Sequence, residues 1–288
     1  MTRAVFEDRL FGVLKWLSIV FFAVFAFFPL VYMVALSFKP IQDLLLDPAR
    51  WWPSIEQIVN SETYQTVLKP VDQGGQGFLV FIRNSSIVAV VTVISTLLVG
   101  ILAAYAAARL NFFGKRTVSV GIILVYLFPV VIVSIPLFVM FSRLGIRSSL
   151  YSLMIVYLAS TLPVALYMLR GYFQSIPVEL EEAAQVDGLS RMGVIRRITI
   201  PLASPAIAAV GLYVFMIAWN EFLYALLFVL DNRDLWTLSL GVEQLNTQEV
   251  PKTVLMAGSV IISLPVIFLF FIAEKFLTEG LTAGGVKG

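Results

Sequence analysis

The amino-acid sequence predicts an all-α polytopic membrane protein with six transmembrane helices. Its 288 residues are 59% hydrophobic and 13% charged, with a mean hydropathy of +0.92, whereas soluble domains carry about 25% charged residues. Six apolar runs are long enough to cross the hydrocarbon core of a bilayer, which takes about 20 residues of helix. They are residues 13–37, 84–108, 118–141, 150–170, 202–230 and 254–277.

Composition excludes several functional classes. The sequence contains no cysteine and no histidine, so it has no thiol chemistry and lacks the commonest metal ligand and general base. Its net charge of +2 gives no strongly basic surface for a nucleic acid. We therefore expect no metal and no cofactor on this chain, and no nucleic-acid partner.

The first apolar run could be a secretory signal peptide, because Arg3, Arg9 and Lys15 lie at its start. A signal peptide has an apolar core of about 7–15 residues, which is shorter than this run. The sequence therefore predicts a retained helix. Together with the polar loop that follows, it forms an N-terminal segment of residues 1–83.

The orientation follows from the lysines and arginines. If the amino terminus is inside, twelve of the 20 Lys and Arg residues fall inside and eight fall outside. The outside residues are also diluted over a long loop, 38–83, that carries several acids. Because cytoplasmic loops are enriched in Lys and Arg, both termini and the loop at 171–201 are predicted to be cytoplasmic.

The second run has a small residue at every fourth position. These residues are Thr92, Thr96, Gly100, Ala104 and Ala108. A face of small residues lets a neighbouring helix approach closely. The same face could instead line a path for solute.

Three polar residues occupy unusual places in the apolar runs. Asn84 begins the second run, and Asn220 and Glu221 lie inside the fifth. A carboxylate at membrane depth costs about 2.5–3.5 kcal/mol on the insertion scale, so it should face the interior of the bundle. These residues could line a translocation path near its outer mouth, or they could tie helices together by hydrogen bonds.

The charged loop at 171–201 is predicted to form two short helices joined by a glycine turn. Pro177 suits the first helical position, and the acids at 179, 181 and 182 follow in the first turns, where the helix dipole stabilises them. Gly188 can end this helix in the left-handed conformation, and Ser190 can cap the next one.

One face of the first short helix is predicted to be apolar, with Ile176, Leu180, Ala183 and Ala184. Such a hairpin could lie on the lipid surface. The face is small, however, and the adjacent acids would be repelled by an anionic inner leaflet. We therefore interpret the loop as a docking surface for a protein outside the bilayer.

The same loop resembles the EAA signature of permease subunits of binding-protein-dependent ABC importers. That signature reads EAA, three residues, G, nine residues and I-x-LP. Here it is matched by Glu182-Ala183-Ala184, Gly188, Ile198 and Pro201, with Ile200 in place of Leu. Further motifs similar to the family lie at 83–85, 105–110, 176–177 and 219–222, and the tail at 279–288 resembles the smaller permease subunit of the maltose-type carbohydrate subfamily.

The resemblance implies a type I ABC importer permease fold in a bacterial cytoplasmic membrane. Residues 84–277 would be a five-helix core that contains the cytoplasmic coupling-helix loop, and residues 278–288 a cytoplasmic tail. The implied partners are a second, homologous permease, a dimer of ABC ATPases, an extracytoplasmic solute-binding protein and membrane lipid. ATP and Mg²⁺ would bind to the ATPase, because this chain has no Walker A motif.

The resemblance also implies residue roles. The residues that would couple the chain to the ATPase are Glu181, Glu182, Ala183, Ala184, Asp187, Gly188, Arg191, Ile198 and Pro201. Within the loop between the fifth and sixth runs, the candidates for contact with the binding protein are Asn246, Thr247 and Gln248.

The implied function is ATP-driven import of a di- or oligosaccharide by alternating access, with ATP hydrolysis on another subunit. One alternative is an importer permease for another small polar solute, such as a polyol or glycerol phosphate. Another is a membrane scaffold or sensor that transports nothing. A membrane enzyme would need a catalytic group at depth, and Glu221 alone is a poor active site.

Overall fold

The computed structural model describes residues 3–126 and 128–284. Within these residues the regular elements are helices, and none is a β-strand. The helices are α1 Arg3–Ser37, α2 Ile41–Leu46, α3 Ile55–Asn60, α4 Glu62–Leu68, α5 Phe78–Arg109, α6 Lys115–Tyr126, α7 Val130–Arg143, α8 Leu150–Ser175, α9 Val178–Val186, α10 Arg191–Leu202, α11 Ser204–Asn220, α12 Leu223–Val229, α13 Leu238–Gln244 and α14 Lys252–Gly284.

Four described helices are long and apolar enough to cross a membrane. They are Leu10–Ser37 of α1, the whole of α5 and α8, and Lys252–Phe276 of α14. The pair α10 and α11 passes the same test together, although the chain bends by 80° between them. The predicted all-α membrane class is therefore confirmed, with four or five spans by length and composition in the described residues.

The predicted third span, 118–141, is not one continuous helix. α6 ends at Tyr126, and α7 begins at Val130 after Pro129, whose backbone is extended with ψ at 129°. Proline lacks the backbone donor that a helix interior needs, and it disfavours helical geometry in the residue before it. The fifth predicted span, 202–230, is likewise divided, because Glu221 is extended between α11 and α12.

The chain forms two compact units. The first comprises residues 1–78 and 244–263, and the second comprises residues 79–243 and 264–288. In the first unit, the ring of Trp51 packs against the rings of Phe28 and Tyr32 on α1, with centroids 6.2 and 5.6 Å away. The short helix α3 begins with a reciprocal capping box between Ser54 and Gln57.

The second unit contains the core that supports the loop at 171–201. Its buried residues come from α5, α8, α10 and α11 and the turns that join them. They are Ala104, Tyr105, Ala165, Leu169, Phe173, Ile176, Ile195, Ala203, Val210 and Val214. The elements on both sides of the loop are thus packed into one cluster with the end of α5.

The small-residue face of α5 packs against α8. The hydroxyl oxygens of Thr96 and Thr161 lie 3.0 Å apart in the buried contact between these helices. A Cβ atom on Gly100 would lie 3.6 Å from Leu169, which is ordinary van der Waals contact. These are the contacts of close helix packing, one of the two alternatives for this face.

The backbone of the predicted tail, 278–288, is described only in part. The backbone of α14 continues to Gly284, and residues 285–288 lie outside the described residues.

Candidate functional site

The loop at 171–201, which is predicted to be cytoplasmic, contains two short helices joined at a glycine. Pro177 immediately precedes α9 rather than forming its first residue, a shift of one position. Gly188 has φ at +92°, the left-handed conformation that the sequence predicts. The hydroxyl of Ser190 accepts a hydrogen bond of 3.3 Å from the amide of Gly193 and so caps α10, also as predicted.

The second short helix, α10, leads directly into the apolar helix α11. α10 contains a π-helical turn from Ile195 to Thr199, in which Ile198 is half-buried. Arg191 is exposed in its first turn, and Pro201 is exposed in its last. The chain then bends at Ala203 into α11, so the loop is joined to this span through a single residue.

The carboxylate of Glu181 is the centre of the inner side of the loop. Glu181 is 3% exposed, and its Oε1 lies 3.1 Å from Nε of Arg109 on α5. The hydroxyl of Tyr105 donates to Oε2 at 3.0 Å, and that of Thr199 donates to Oε1 at 3.3 Å. Burial of a charge is tolerated when it is paired and hydrogen-bonded in this way, so the loop is anchored to α5 from the inside.

Arg109 extends this anchor to the end of α8. Its Nη2 donates a hydrogen bond of 2.7 Å to the carbonyl oxygen of Ile176, which follows the last residue of α8. The guanidinium therefore contacts both the residue that joins α8 to α9 and the carboxylate on α9. Two nitrogens of one planar group, Nε and Nη2, make this fork, which the single ammonium of a lysine cannot reproduce.

The apolar face predicted for α9 is only half right. Ile176 and Ala184 are buried, but Leu180 is 47% exposed and Ala183 is exposed as well. The reason is that Glu181, held by Arg109, fixes the rotation of the helix. The buried stripe therefore runs through Glu181 and Ala184, three residues apart, and the other side of the helix faces outward.

The outer side of the loop combines acids with uncovered apolar side chains. Four of the predicted coupling residues are exposed there, namely Glu182, Ala183, Asp187 and Gly188. Large apolar residues are exposed beside them, namely Val178, Leu180, Val186 and Met192. Val186 is 88% exposed. We refer to these eight residues as the outer face of the loop.

Glu221 makes several hydrogen bonds at the break between α11 and α12. Its carboxylate accepts from the hydroxyl of Tyr157 on α8 at 2.6 Å, and from the backbone amides of Tyr224 and Ala225 at 2.9 and 3.3 Å. It therefore caps the start of α12 and joins it to α8. Its own carbonyl oxygen accepts from the hydroxyl of Ser239 at 2.5 Å.

The two candidate asparagines differ. The side-chain amide of Asn84 is buried and donates to the carbonyl oxygens of Asp234 and Trp236 at 2.8 and 3.0 Å. Asn220 is exposed, and its amide donates to the carbonyl oxygen of Met216 in its own helix at 2.9 Å. Asn84 thus joins two elements that are distant in sequence, whereas Asn220 makes a local contact.

The segment between α13 and α14 presents Asn246, Thr247 and Gln248 as an exposed tip. The ammonium of Lys252 donates to Oδ1 of Asn246 at 3.3 Å and to the carbonyl oxygen of Thr247 at 3.2 Å. The tip is therefore shaped by local hydrogen bonds and leaves Gln248 pointing out of the fold. Among the described residues, no group of acidic side chains is arranged to hold a metal ion.

Comparison with known protein families matches the part of the chain that contains this loop to one family. Residues 96–282, which include α9, α10 and the C-terminal part of α5, match the family described as binding-protein-dependent transport system inner membrane component. The chain belongs to this family. Its relatives are permease subunits of ABC transporters, which are not themselves enzymes.

Two curated relatives and one solved structure show how far the likeness extends. The trehalose/maltose transport system permease protein MalG of Thermococcus litoralis is 32% identical over 98% of this chain and 99% of its own length. The sulfoquinovosyl glycerol permease SmoH of Agrobacterium fabrum is 35% identical over 91% and 89%. A crystal structure of a bacterial ABC transporter that imports alginate matches with a TM-score of 0.80 at 23% identity, covering 96% of this chain and 98% of that one. The fold of an ABC importer permease is therefore shared along the chain.

Sequence reasoning missed three residues of the anchor, namely Tyr105, Arg109 and Thr199. Tyr105 and Arg109 belong to a motif, 105–110, that resembled the family without a stated role. An arginine at the cytoplasmic end of a span, with an acidic loop on the same side of the membrane, was the available signal. Thr199 gave no such signal, because its contact depends on the path of the π-helical turn.

Proposed function

We propose that this chain is one of two permease subunits of an ATP-driven importer that moves a carbohydrate into the cytoplasm by alternating access. The partners are a second permease, a dimer of ABC ATPases and an extracytoplasmic solute-binding protein, all in a bacterial cytoplasmic membrane with both termini of this chain inside. ATP and Mg²⁺ bind to the ATPases. The observation that carries the proposal is the outer face of the loop, rigidly held by a buried ion pair in a chain of this family.

Six spans are consistent with this function. α6 and α7 together, 115–143, have the length of one interrupted span, and α11 with α12, 204–229, has the length of another. Interrupted helices are tolerated at membrane depth where their free backbone groups are buried in protein or line a cavity. Glu221 satisfies two such amides at the start of α12, which supports counting α11 and α12 as one span.

The outer face of the loop is suited to an ATPase. Val186 and Met192 supply apolar area at 88% and 58% exposure, and Glu182 and Asp187 supply charges that a basic cleft can pair. A lipid surface is a poorer partner, because acids at this position would be repelled by the anionic inner leaflet. Ala183 and Gly188 have small or no side chains, so a partner can approach the backbone closely.

The proposal of a carbohydrate substrate is based on the descriptions of the related permeases. Two permeases that match nearly the whole chain are described as trehalose/maltose and sulfoquinovosyl glycerol transporters. We therefore propose a di- or oligosaccharide or a sugar glycoside, and a polyol or glycerol phosphate as the alternative. The binding protein that delivers it is proposed to contact the exposed tip at Asn246, Thr247 and Gln248.

The proposal is tested by reconstitution. The chain is co-expressed with the second permease and the ATPase from neighbouring genes, purified, and placed in liposomes with the corresponding binding protein. Uptake of labelled trehalose, maltose and glycerol 3-phosphate is measured with and without internal ATP. We expect ATP-dependent uptake of a sugar, and we expect Glu182→Ala to abolish it while the complex still inserts.

Two outcomes would contradict the proposal. Uptake of glycerol 3-phosphate and of neither sugar would replace the carbohydrate by the alternative solute class. An assembled complex that hydrolyses ATP and transports none of the probes, even with its loaded binding protein, would favour a scaffold or sensor. Glu179→Ala is a matched control, because it removes an exposed acid near the start of α9 that the signature does not include.

A further inference from the structure

Glu181 and Glu182 are adjacent acids that face opposite sides of the loop. Glu182 is exposed on the outer face, whereas Glu181 is 3% exposed and contacts α5 and α10. Consecutive residues of an α-helix are about 100° apart around its axis, so this division follows from the helical geometry once one acid is anchored. The two acids therefore cannot both bind the same partner.

We propose that Glu181 is a positioning residue that makes α5 move together with α9, so that displacement of the loop reaches this span directly. The proposal rests on the proposed function, in which an ATPase displaces the loop. Covalent connections alone would carry that displacement to α8 and α11, the two spans that flank the loop in sequence. The contact with Arg109 adds α5, which lies 72 residues away along the chain.

The burial of the ion pair explains why it can transmit a displacement. The side chains of Arg109 and Glu181 are 10% and 3% exposed. Separating them without replacement partners would leave two uncompensated buried charges, which is strongly unfavourable. By contrast, the pair of Arg147 and Asp231 is 31% and 49% exposed, and water can replace the partners of such a pair at little cost.

α5 is also held at its other end. Asn84 donates to the carbonyl oxygens of Asp234 and Trp236, and the hydroxyl of Ser85 accepts from the amide of Leu238 at 2.7 Å. From Asn84 to Arg109 the helix has no proline and spans about 38 Å at 1.5 Å per residue. An unbroken helix anchored at both ends can carry a displacement from the cytoplasmic loop to the opposite end of the second unit.

Two spin labels test the proposal in the assembled complex. The chain contains no cysteine, so Asn111→Cys, just beyond α5, and Gln185→Cys, near the end of α9 and outside the outer face, can be labelled without removing others from this chain. Both positions are exposed. The distance between the labels is measured by pulsed electron paramagnetic resonance, first without nucleotide and then with ADP and vanadate trapped in the ATPase.

We expect the wild-type distance to be the same in the two states, because α5 and α9 move together. In Glu181→Gln we expect the distance distribution to broaden without nucleotide and its mean to shift on trapping. Glu179→Gln, the matched control, changes an exposed acid outside the outer face and should keep the wild-type distribution in both states. If Glu181→Gln assembles poorly, Tyr105→Phe and Thr199→Val each remove one hydrogen bond and should give a smaller broadening.

The proposal is overturned if Glu181→Gln keeps the wild-type distribution in both states, or if the wild-type distance itself changes on trapping. A lower melting temperature with unchanged distances would also overturn it, since that result describes a residue that only stabilises the fold. If the ATPase does not bind the wild-type chain, the proposed function fails. The comparison without nucleotide would still show whether Glu181 links α9 to α5.

Discussion

Replacing Glu221 by alanine should destabilise the helix bundle more than replacing it by glutamine. The carboxylate accepts hydrogen bonds from the Tyr157 hydroxyl and from the amides of Tyr224 and Ala225. Alanine leaves the fully buried Tyr157 without this acceptor, which costs about 1–3 kcal/mol, and removes a helix cap worth about 1 kcal/mol. Glutamine keeps one acceptor oxygen, so its cost should be less than half as large.

Membrane measurements set the lower end of this estimate. Hydrogen bonds between spanning helices contribute about 0.6 kcal/mol each on average, so three of them give roughly 2 kcal/mol for Glu221→Ala. For a chain of this size, 1 kcal/mol lowers the melting temperature by about 2–4 °C. We therefore expect Glu221→Ala to melt at least about 4 °C below the wild type.

The assay is thermal unfolding of the purified chain in detergent, at one scan rate for all variants. A double-mutant cycle with Tyr157→Phe isolates the contact between α8 and the cap, and we expect a coupling of about 0.5–1.7 kcal/mol. Equal melting temperatures for Glu221→Ala and Glu221→Gln would refute the assignment of Glu221 as a helix tie. A coupling of zero between Glu221 and Tyr157 would mean that Glu221 caps α12 but does not join it to α8.

Three further predictions follow from the described contacts. Asn84→Leu should cost about 1–3 kcal/mol, because it leaves the carbonyl oxygen of the buried Trp236 without this donor, and hydrogen exchange should quicken between residues 234 and 238 if this contact is lost. Gly188→Ala should cost about 1–2 kcal/mol, because alanine is strained in the left-handed conformation, and it should weaken capture of the ATPase in a pull-down. Gly171→Ala is the control, because this glycine has no positive φ and its added methyl group would meet open space. Thr96→Val should lower the melting temperature more than the double change Thr96→Val with Thr161→Val, because the single change leaves the buried hydroxyl of Thr161 without this partner. If the shifts in melting temperature of the two single variants simply add in the double variant, this prediction is wrong.

Local features of the loop could be predicted from the sequence. Gly188 and Ser190 act through their own backbone or through an amide three residues away, so a short window of sequence contains the information. The helix α9 begins one residue later than predicted, because proline suits both the N-cap position and the first turn. The family signature was recognised for the same reason, since its residues lie within one segment.

Contacts between distant segments could not be predicted in the same way. The rotation of α9 depends on Arg109, 72 residues earlier, and hydrophobicity alone did not show that Leu180 and Ala183 are exposed while Glu181 is buried. The break at Pro129 was visible as a proline, but whether a membrane helix kinks or stops there depends on which neighbours satisfy the freed carbonyl groups. The two alternatives for Glu221 likewise depended on Tyr157, 64 residues away.

This chain contains acids that are held by several donors and acids that face water, and the contrast between them relates buried charge to function. Glu181 and Glu221 both lie where charge is expensive, and each is surrounded by donors from segments that are remote in sequence. Glu182 and Asp187 carry the same charge at no such cost, because they face water. The acids that cost free energy to bury join separate segments of the chain, whereas the exposed acids are available to a partner. On this argument we propose that the signature acid Glu182 contacts the ATPase and that its neighbour Glu181 couples the loop to α5.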